Sequence, residues 1–208
     1  ATQPALGPLF AEFLPGRPAV ELCPPELCPP ESFRRVCFRQ AGRLDWDTLS
    51  GQLQQHEQVL CVVNSRKSAQ EIFTRLSDEG NFHLSTLMYP AHRRAKLEEI
   101  RRRLREGLPC RVISTSLIEA GVDVDFPAVF REEAGLDSIL QAAGRCNREG
   151  KRPVSESIVT LFRGEAAPPP LFQTAIGAGR LVLEQYDDIA SREAIQAYFH
   201  TLLELKGA

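Results

Sequence analysis

Between about residue 33 and residue 162, short apolar runs alternate with stretches whose apolar residues recur at helical spacing. This alternation restricts the fold more than any other feature of the chain. The runs "FRRVCFR", "QVLCVV", "HLSTLM", "CRVIST", "PAVF" and "SIVTLF" read as strands, rich in β-branched and aromatic residues. Between them, Trp46, Leu49 and Leu53 follow a capping Asp45, and Ala69, Ile72, Phe73 and Leu76 mark a helix closing near Gly80. Leu97, Ile100 and Leu104 form the apolar stripe of a basic helix that ends before Gly107, and residues 138–149 are predicted helical. Strand and helix in regular succession predict an α/β fold, a parallel sheet with helices on both faces.

The flanks differ. Residues 1–32 hold eight of the fifteen prolines and no sustained periodicity, which predicts a Pro-rich linker or strap. Beyond Phe162 the register breaks at "PPP" (168–170), and two helical patterns follow, the second capped by Ser191 with Ile195, Phe199 and Leu202 facing inward. The expected division is therefore 1–32, a main domain at 33–163 and a helical C-terminal extension at 164–208. The 208 residues suit one such domain with an appendage. The opening "ATQPALGPLF" lacks Met, so the chain is expected to be a segment of something longer, with a processed or tagged chain as the alternative.

A formal charge of -2 excludes a globally basic nucleic-acid protein. The charge is uneven, however: residues 93–111 hold Arg93, Arg94, Lys96, Arg101, Arg102, Arg103, Arg105 and Arg111. No apolar run reaches the ~20 residues of a membrane span and no signal-peptide pattern opens the chain, so a cytoplasmic protein is expected. Cys23 and Cys28 in "LCPPELCPP" lack a second pair at ligand spacing, and no metal site is predicted.

Ligands of open parallel sheets bind beyond the carboxyl ends of the strands, so the residues after each strand carry the most information. After "QVLCVV", Asn64 or Ser65 can cap a helix and leave free amides beside the Arg66 guanidinium, a combination that suits a phosphate. An ordinary cap followed by a solvated arginine explains the same residues. After "CRVIST", Ser116 and Glu119 form an S-x-x-E capping box on a one-turn helix that Gly121 can end. The hydroxyls of Thr115 and Ser116 are then available to a phosphodiester and Asp123 to a ribose or cation, unless the segment is only a compact connection. In a helix over 138–149, Gln141, Arg145 and Arg148 share one face beside Gly144. Two neighbouring guanidiniums repel unless an anion lies between them, and a triphosphate supplies one; a solvated basic face is the plainer alternative.

Two patterns are decoys. Gly150-Lys151 resembles the end of a phosphate loop, but Arg152 replaces the required Ser or Thr and Gly144 stands one residue too far upstream. Glu132-Glu133-Ala134 resembles an acidic Mg²⁺ box, yet no phosphate loop precedes it. A partner domain must therefore cradle the nucleotide.

The stretches "VISTSLIEAGVDVDFP" (112–127) and "LQAAGRCNREGK" (140–151) resemble motifs V and VI of superfamily 2 helicases, and "VVNSRKSAQEIF" (62–73) is similar to motif IV. The Gly-Arg-x-Asn-Arg-x-Gly form and the helical tail resemble the CRISPR-associated helicase-nuclease of type I systems more than a DEAD-box RNA helicase. The resemblance implies a second RecA-like domain of an ATP-dependent helicase that translocates on and unwinds target DNA in antiviral defence. It closes on a first RecA-like domain of the same protein that binds most of the ATP and Mg²⁺. It implies Arg145 and Arg148 as arginine fingers, Gln141, Gly144, Gly121 and Asp123 facing the nucleotide, and Asn64, Arg66, Ser114 and Thr115 along single-stranded DNA. A CRISPR surveillance complex is the implied further partner. Alone, the chain is expected to lack ATPase, helicase and nuclease activity, with both arginines facing solvent. Many relatives place a His-Ser or His-Ala pair after the third strand, where this chain has Met88-Tyr89-Pro90, so no nucleic-acid role is expected of His83 or His92 and each is expected to be a surface or capping histidine. A DEAD-box-type domain and a non-catalytic protein-docking module are the alternatives.

Overall fold

The computed structural model describes residues 34–77, 79–118 and 122–207. Six strands, β1 (Cys37–Arg43), β2 (Gln58–Val62), β3 (Asn81–Leu84), β4 (Cys110–Ser114), β5 (Ala128–Glu132) and β6 (Ile158–Arg163), form one sheet. Its order is β1-β6-β5-β2-β4-β3, and every pairing is parallel. All six carboxyl ends therefore lie along one rim and all six amino ends along the other.

The helices are α1 (Trp46–Gln54), α2 (Arg66–Arg75), α3 (Pro90–Glu106), α4 (Leu136–Ala143), α5 (Pro170–Gln185) and α6 (Arg192–Lys206). Alternate strand residues divide between two cores, as the pleat requires. Val59, Cys61, Val63, Ile113 and Phe130 pack with Trp46, Leu49 and Leu53 of α1 and Ala69 and Ile72 of α2. Leu60, Val62, Val112, Val129 and Val159 pack on the opposite face with Ile100 of α3, Ile139 of α4, Val182 of α5 and Tyr198 of α6. Both faces are thus covered by helices, as the alternation predicts.

Local chemistry sets the ends. Asp45 caps α1 by accepting the Thr48 amide at 2.7 Å, Ser191 caps α6 by accepting that of Ala194 at 3.1 Å, and Gly107 ends α3 at φ 69°. Helix α2 stops at Arg75 rather than near Gly80, which instead takes φ 86° in the turn into β3, where a Cβ would strike the Pro109 carbonyl. On α6, Ile195 and Leu202 face inward as predicted, but Phe199 is 47% exposed; Ala194 and Tyr198 are buried instead, with the Tyr198 hydroxyl donating to Asp137 at 2.7 Å. Residues 1–32, with Cys23 and Cys28, and Gly121 and Glu119 lie outside the described residues. Among the described residues no helix is long and apolar enough to cross a membrane, and no group of His, Cys, Asp and Glu is arranged to hold a metal ion.

Candidate functional site

The residues singled out by the sequence fall into two places. One is the carboxyl rim; the other is a seam on the amino side, where the segments at 112–127 and 140–152 meet.

The seam begins where α4 ends. A single helical face carrying Gln141, Arg145 and Arg148 does not form, because α4 stops at Ala143 with Gly144 as its cap. Gln141 is exposed on the last turn of the helix, whereas Arg145 and Arg148 lie beyond it. The reason is tertiary: Phe126 donates its amide to the Arg145 carbonyl at 2.9 Å and accepts the Asn147 amide at 3.0 Å. These bonds make a short parallel bridge between Phe126 and Cys146. Pairing with the backbone ahead of β5 outweighs one more turn of helix.

Asn147 is the pivot. It adopts φ 46°, is 1% exposed, and is the one non-glycine with positive φ among the described residues. Its side-chain nitrogen donates to the carbonyls of Arg35 (2.9 Å) and Arg152 (2.8 Å), and its oxygen accepts the Arg152 amide (3.0 Å). Asparagine tolerates this backbone and satisfies three main-chain groups at once. Asp125 completes the seam by accepting the Arg148 amide at 2.7 Å and pairing with the Arg152 guanidinium at 3.0 Å. Neither residue was given a role from the sequence, although Asn147 is the asparagine of the Gly-Arg-x-Asn-Arg-x-Gly form. The available signal was an Asn three residues before a glycine, with an Asp flanked by valine and phenylalanine upstream.

The two arginines therefore have different settings. Arg145 does not face solvent: it is 8% exposed, and its Nε donates to the Ile118 carbonyl at 3.1 Å, tying the seam to the 3-10 turn Ser116–Ile118. Arg148 does face solvent, with a 43% exposed side chain whose Nε meets Asp123 at 2.8 Å. That carboxylate occupies the position a phosphate oxygen would take on the guanidinium. Burial among Phe126 and its neighbours pushes the Cys146 thiol up to about 12, so it behaves as core.

At the rim, Ser65 caps α2 by accepting the Ser68 amide at 3.0 Å, which leaves Arg66 exposed at the helix start. Asn64 is neither the cap nor free for a ligand. Its amide donates to Glu132 (2.6 Å), its side-chain nitrogen to the Glu133 carbonyl (2.8 Å), and its oxygen accepts Arg131 (3.0 Å). Arg131, 2% exposed near the end of β5, also donates to the Glu132 carbonyl at 2.7 Å and to Ser138 at 2.9 Å, pinning the ends of β2 and β5 to α4. Burial raises the Glu132 carboxyl above its ordinary range, while the Asn64 amide and Arg131 oppose the shift. Glu133, the other half of the rejected acidic box, pairs with Arg180 of α5 at 2.5 Å.

Ser114 is fully buried and donates to the Thr115 carbonyl at 2.8 Å, so its hydroxyl cannot meet a phosphate in this arrangement. Thr115 differs: it is 7% exposed, and its hydroxyl has no hydrogen-bond partner among the described residues. The basic stretch is also partly spent. Arg102 and Arg103 clasp Glu99, hold its carboxyl down to about 2, and Arg101 donates to the Asp123 carbonyl at 3.0 Å. Arg111 is 5% exposed and donates to the His56 carbonyl at 2.8 Å, away from the rim. His83 is a half-buried ring beside Phe73 rather than a surface or capping group, and burial lowers its pKa. His92 lies exposed against Tyr89.

Comparison with known proteins finds a family that this arrangement resembles. Residues 55–151 match the model of "CRISPR-associated nuclease/helicase Cas3, C-terminal", a span that includes β2 to β5 and the whole seam up to Lys151. This stretch is similar to the C-terminal helicase domain of the Cas3 family. It is 28% identical over 134 residues to the CRISPR-associated nuclease/helicase Cas3 of Methanothermobacter thermautotrophicus, a match covering 62% of this chain and 16% of that protein. The crystal structure of T. fusca Cas3 with ATP superposes with a TM-score of 0.61 at 14% identity, over 95% of this chain and 28% of that one. A chain of a CRISPR RNA-guided surveillance complex, pre-nicking, superposes at 0.58 with 16% identity, over 95% and 29% respectively. At these identities the superpositions establish a shared fold, the RecA-like sheet. The chain spans about a sixth of the curated Cas3 relative's length.

Proposed function

We propose that residues 33–163 are the second RecA-like motor domain of an ATP-driven Cas3-type helicase that translocates on and unwinds target DNA in CRISPR interference. In this reading 164–208 are its helical extension and 1–32 a linker or strap. The observation that carries it is the seam, where the buried Asn147 and the half-buried Asp125 fix the backbone around Arg148 and leave its guanidinium on an exposed carboxylate. A guanidinium on a rigid mount suits a phosphate of a nucleotide held on an opposing domain. Arg148 contacts the nucleotide, with Asp123, Gln141, Gly144 and Gly121 lining its side of the cleft. Arg145 holds the seam against the Ser116–Ile118 turn and acts as a finger only if it leaves the Ile118 carbonyl. Bound ATP and Mg²⁺ supply the phosphoryl chemistry, and the first RecA-like domain holds most of both.

Single-stranded DNA runs over the carboxyl rim, with Arg66 and Thr115 as its contacts there. A CRISPR surveillance complex is the assembly partner and the cytoplasm the location. The chain by itself has no ATPase, helicase or nuclease activity. The docking-module reading draws support from exposed apolar residues on the last two helices, foremost Leu171, Leu203 and Leu205, which are 85%, 55% and 55% exposed. ATP turnover by the intact protein, with and without single-stranded DNA, decides between them. The motor reading expects DNA to stimulate turnover, and turnover indifferent to DNA contradicts it.

A further inference from the structure

The turn after β3 is the part of the rim that the reading above leaves unused. Its apolar side chains are unusually open: Leu87 is 76% and Tyr89 67% exposed. The His92 ring lies against the Tyr89 ring with centroids 5.5 Å apart and planes inclined at 38°. Arg93 and the exposed Arg94 follow on the first turns of α3, and Tyr89 makes no side-chain cap bond to that helix. The turn is anchored beneath, where Met88 donates its amide to the Ser85 carbonyl at 3.2 Å and Thr115 donates its own to that of Leu84 at 3.4 Å.

Sheet order supplies the context. The neighbouring strands β2, β4 and β3 bring Arg66, Thr115 and Tyr89 to successive positions along one rim. Parallel strands lie about 4.8 Å apart, so the ends of these three strands span roughly 10 Å in a line. Along that line stand an exposed cation, a buried hydroxyl without a partner among the described residues, and an exposed aromatic pair flanked by cations.

Building on the nucleic-acid reading of this rim, we propose that Tyr89, backed by His92 and edged by Leu87, is a ledge on which one unpaired base of the bound single strand stacks. Cations for the backbone beside a ring for the base is the pairing that sequence-tolerant single-strand binding requires. A ring at this exposure, touching only the exposed His92 ring among the ring contacts of the described residues, adds little to the fold, and its neighbours Arg93 and Arg94 favour a polyanion over an apolar protein partner.

The test compares an oligothymidylate with an abasic strand of equal length, and therefore equal charge, for binding to the intact protein. The expected preference for the base-bearing strand is about tenfold, the scale of one aromatic stack. Tyr89→Ala should cut that preference to about twofold or less with abasic-strand affinity unchanged, and Tyr89→Phe should keep it. A wild-type preference that survives Tyr89→Ala, or no preference in the wild type, overturns the ledge while leaving the rim as a backbone site. Failure to bind either strand overturns the nucleic-acid reading and the ledge with it.

Discussion

The seam and the rim answer opposite needs. At the seam, Asn147 alone makes three hydrogen bonds to main chain and Asp125 two more to Arg148 and Arg152, so the backbone around Arg148 has one well-determined path. At the rim beyond β4 and β3, Thr115 keeps a hydroxyl without a partner among the described residues, and Leu87 and Tyr89 stand in solvent. A group that must meet a transition state gains from a fixed mount, because fixed dipoles and charges need no reorganisation during reaction. A surface that must accept any base gains from sparse, exposed contacts.

The contrast predicts a descending series of effects. Asn147→Ala removes three part-buried bonds to main-chain groups and leaves a residue without their compensation at φ 46°, so it should cost about 3–4 kcal/mol in urea unfolding. Asp125→Ala should cost about 2 kcal/mol by leaving the Arg148 amide and the half-buried Arg152 without their acceptor. A loss below about 0.5 kcal/mol for either would mean that the seam is not the rigid mount described.

A weaker effect is set by pH. Burial lowers the His83 pKa below its ordinary 6.5, and burial with the Arg39 and Arg111 charges lowers that of His56. Below 6.5 the unfolded chain binds protons that the folded chain does not yet accept, so stability should fall as pH drops through that value. His83→Phe should shallow the fall; an unchanged slope would remove His83 from the account. At the rim, Arg66→Ala should lower the magnitude of the salt dependence of single-strand binding by about one. Tyr89→Ala, despite its effect on base preference, should change stability by less than about 0.5 kcal/mol.

The alternating pattern made the sheet, its parallel sense and the helices on both faces legible, because each apolar period is fixed by which face a residue must bury. The caps at Asp45, Ser65 and Ser191 were legible for the same local reason, although Asn64 was an equal candidate until its side chain proved to be committed to Glu133 and Arg131. The end of α4 was not legible. Nothing within residues 138–149 announces that Phe126, some twenty positions upstream, pairs with the backbone of Arg145 and Asn147. The same long-range pairing buried Arg145 and promoted Asn147 and Asp125. Phe199 was misassigned because an apolar residue at helical spacing says which faces are available, while the packing partner, here Asp137 drawing Tyr198 inward, decides which one is used.

The central claim is that the seam exists to present Arg148. It is tested most directly by DNA-stimulated ATP turnover of the intact protein carrying Arg148→Ala, beside Lys151→Ala as a neighbouring exposed cation paired only with Glu149 among the described residues. The account predicts that Arg148→Ala loses about 10³- to 10⁵-fold in turnover with unfolding and single-strand affinity unchanged, while Lys151→Ala stays near wild type. Undiminished turnover in Arg148→Ala would contradict it.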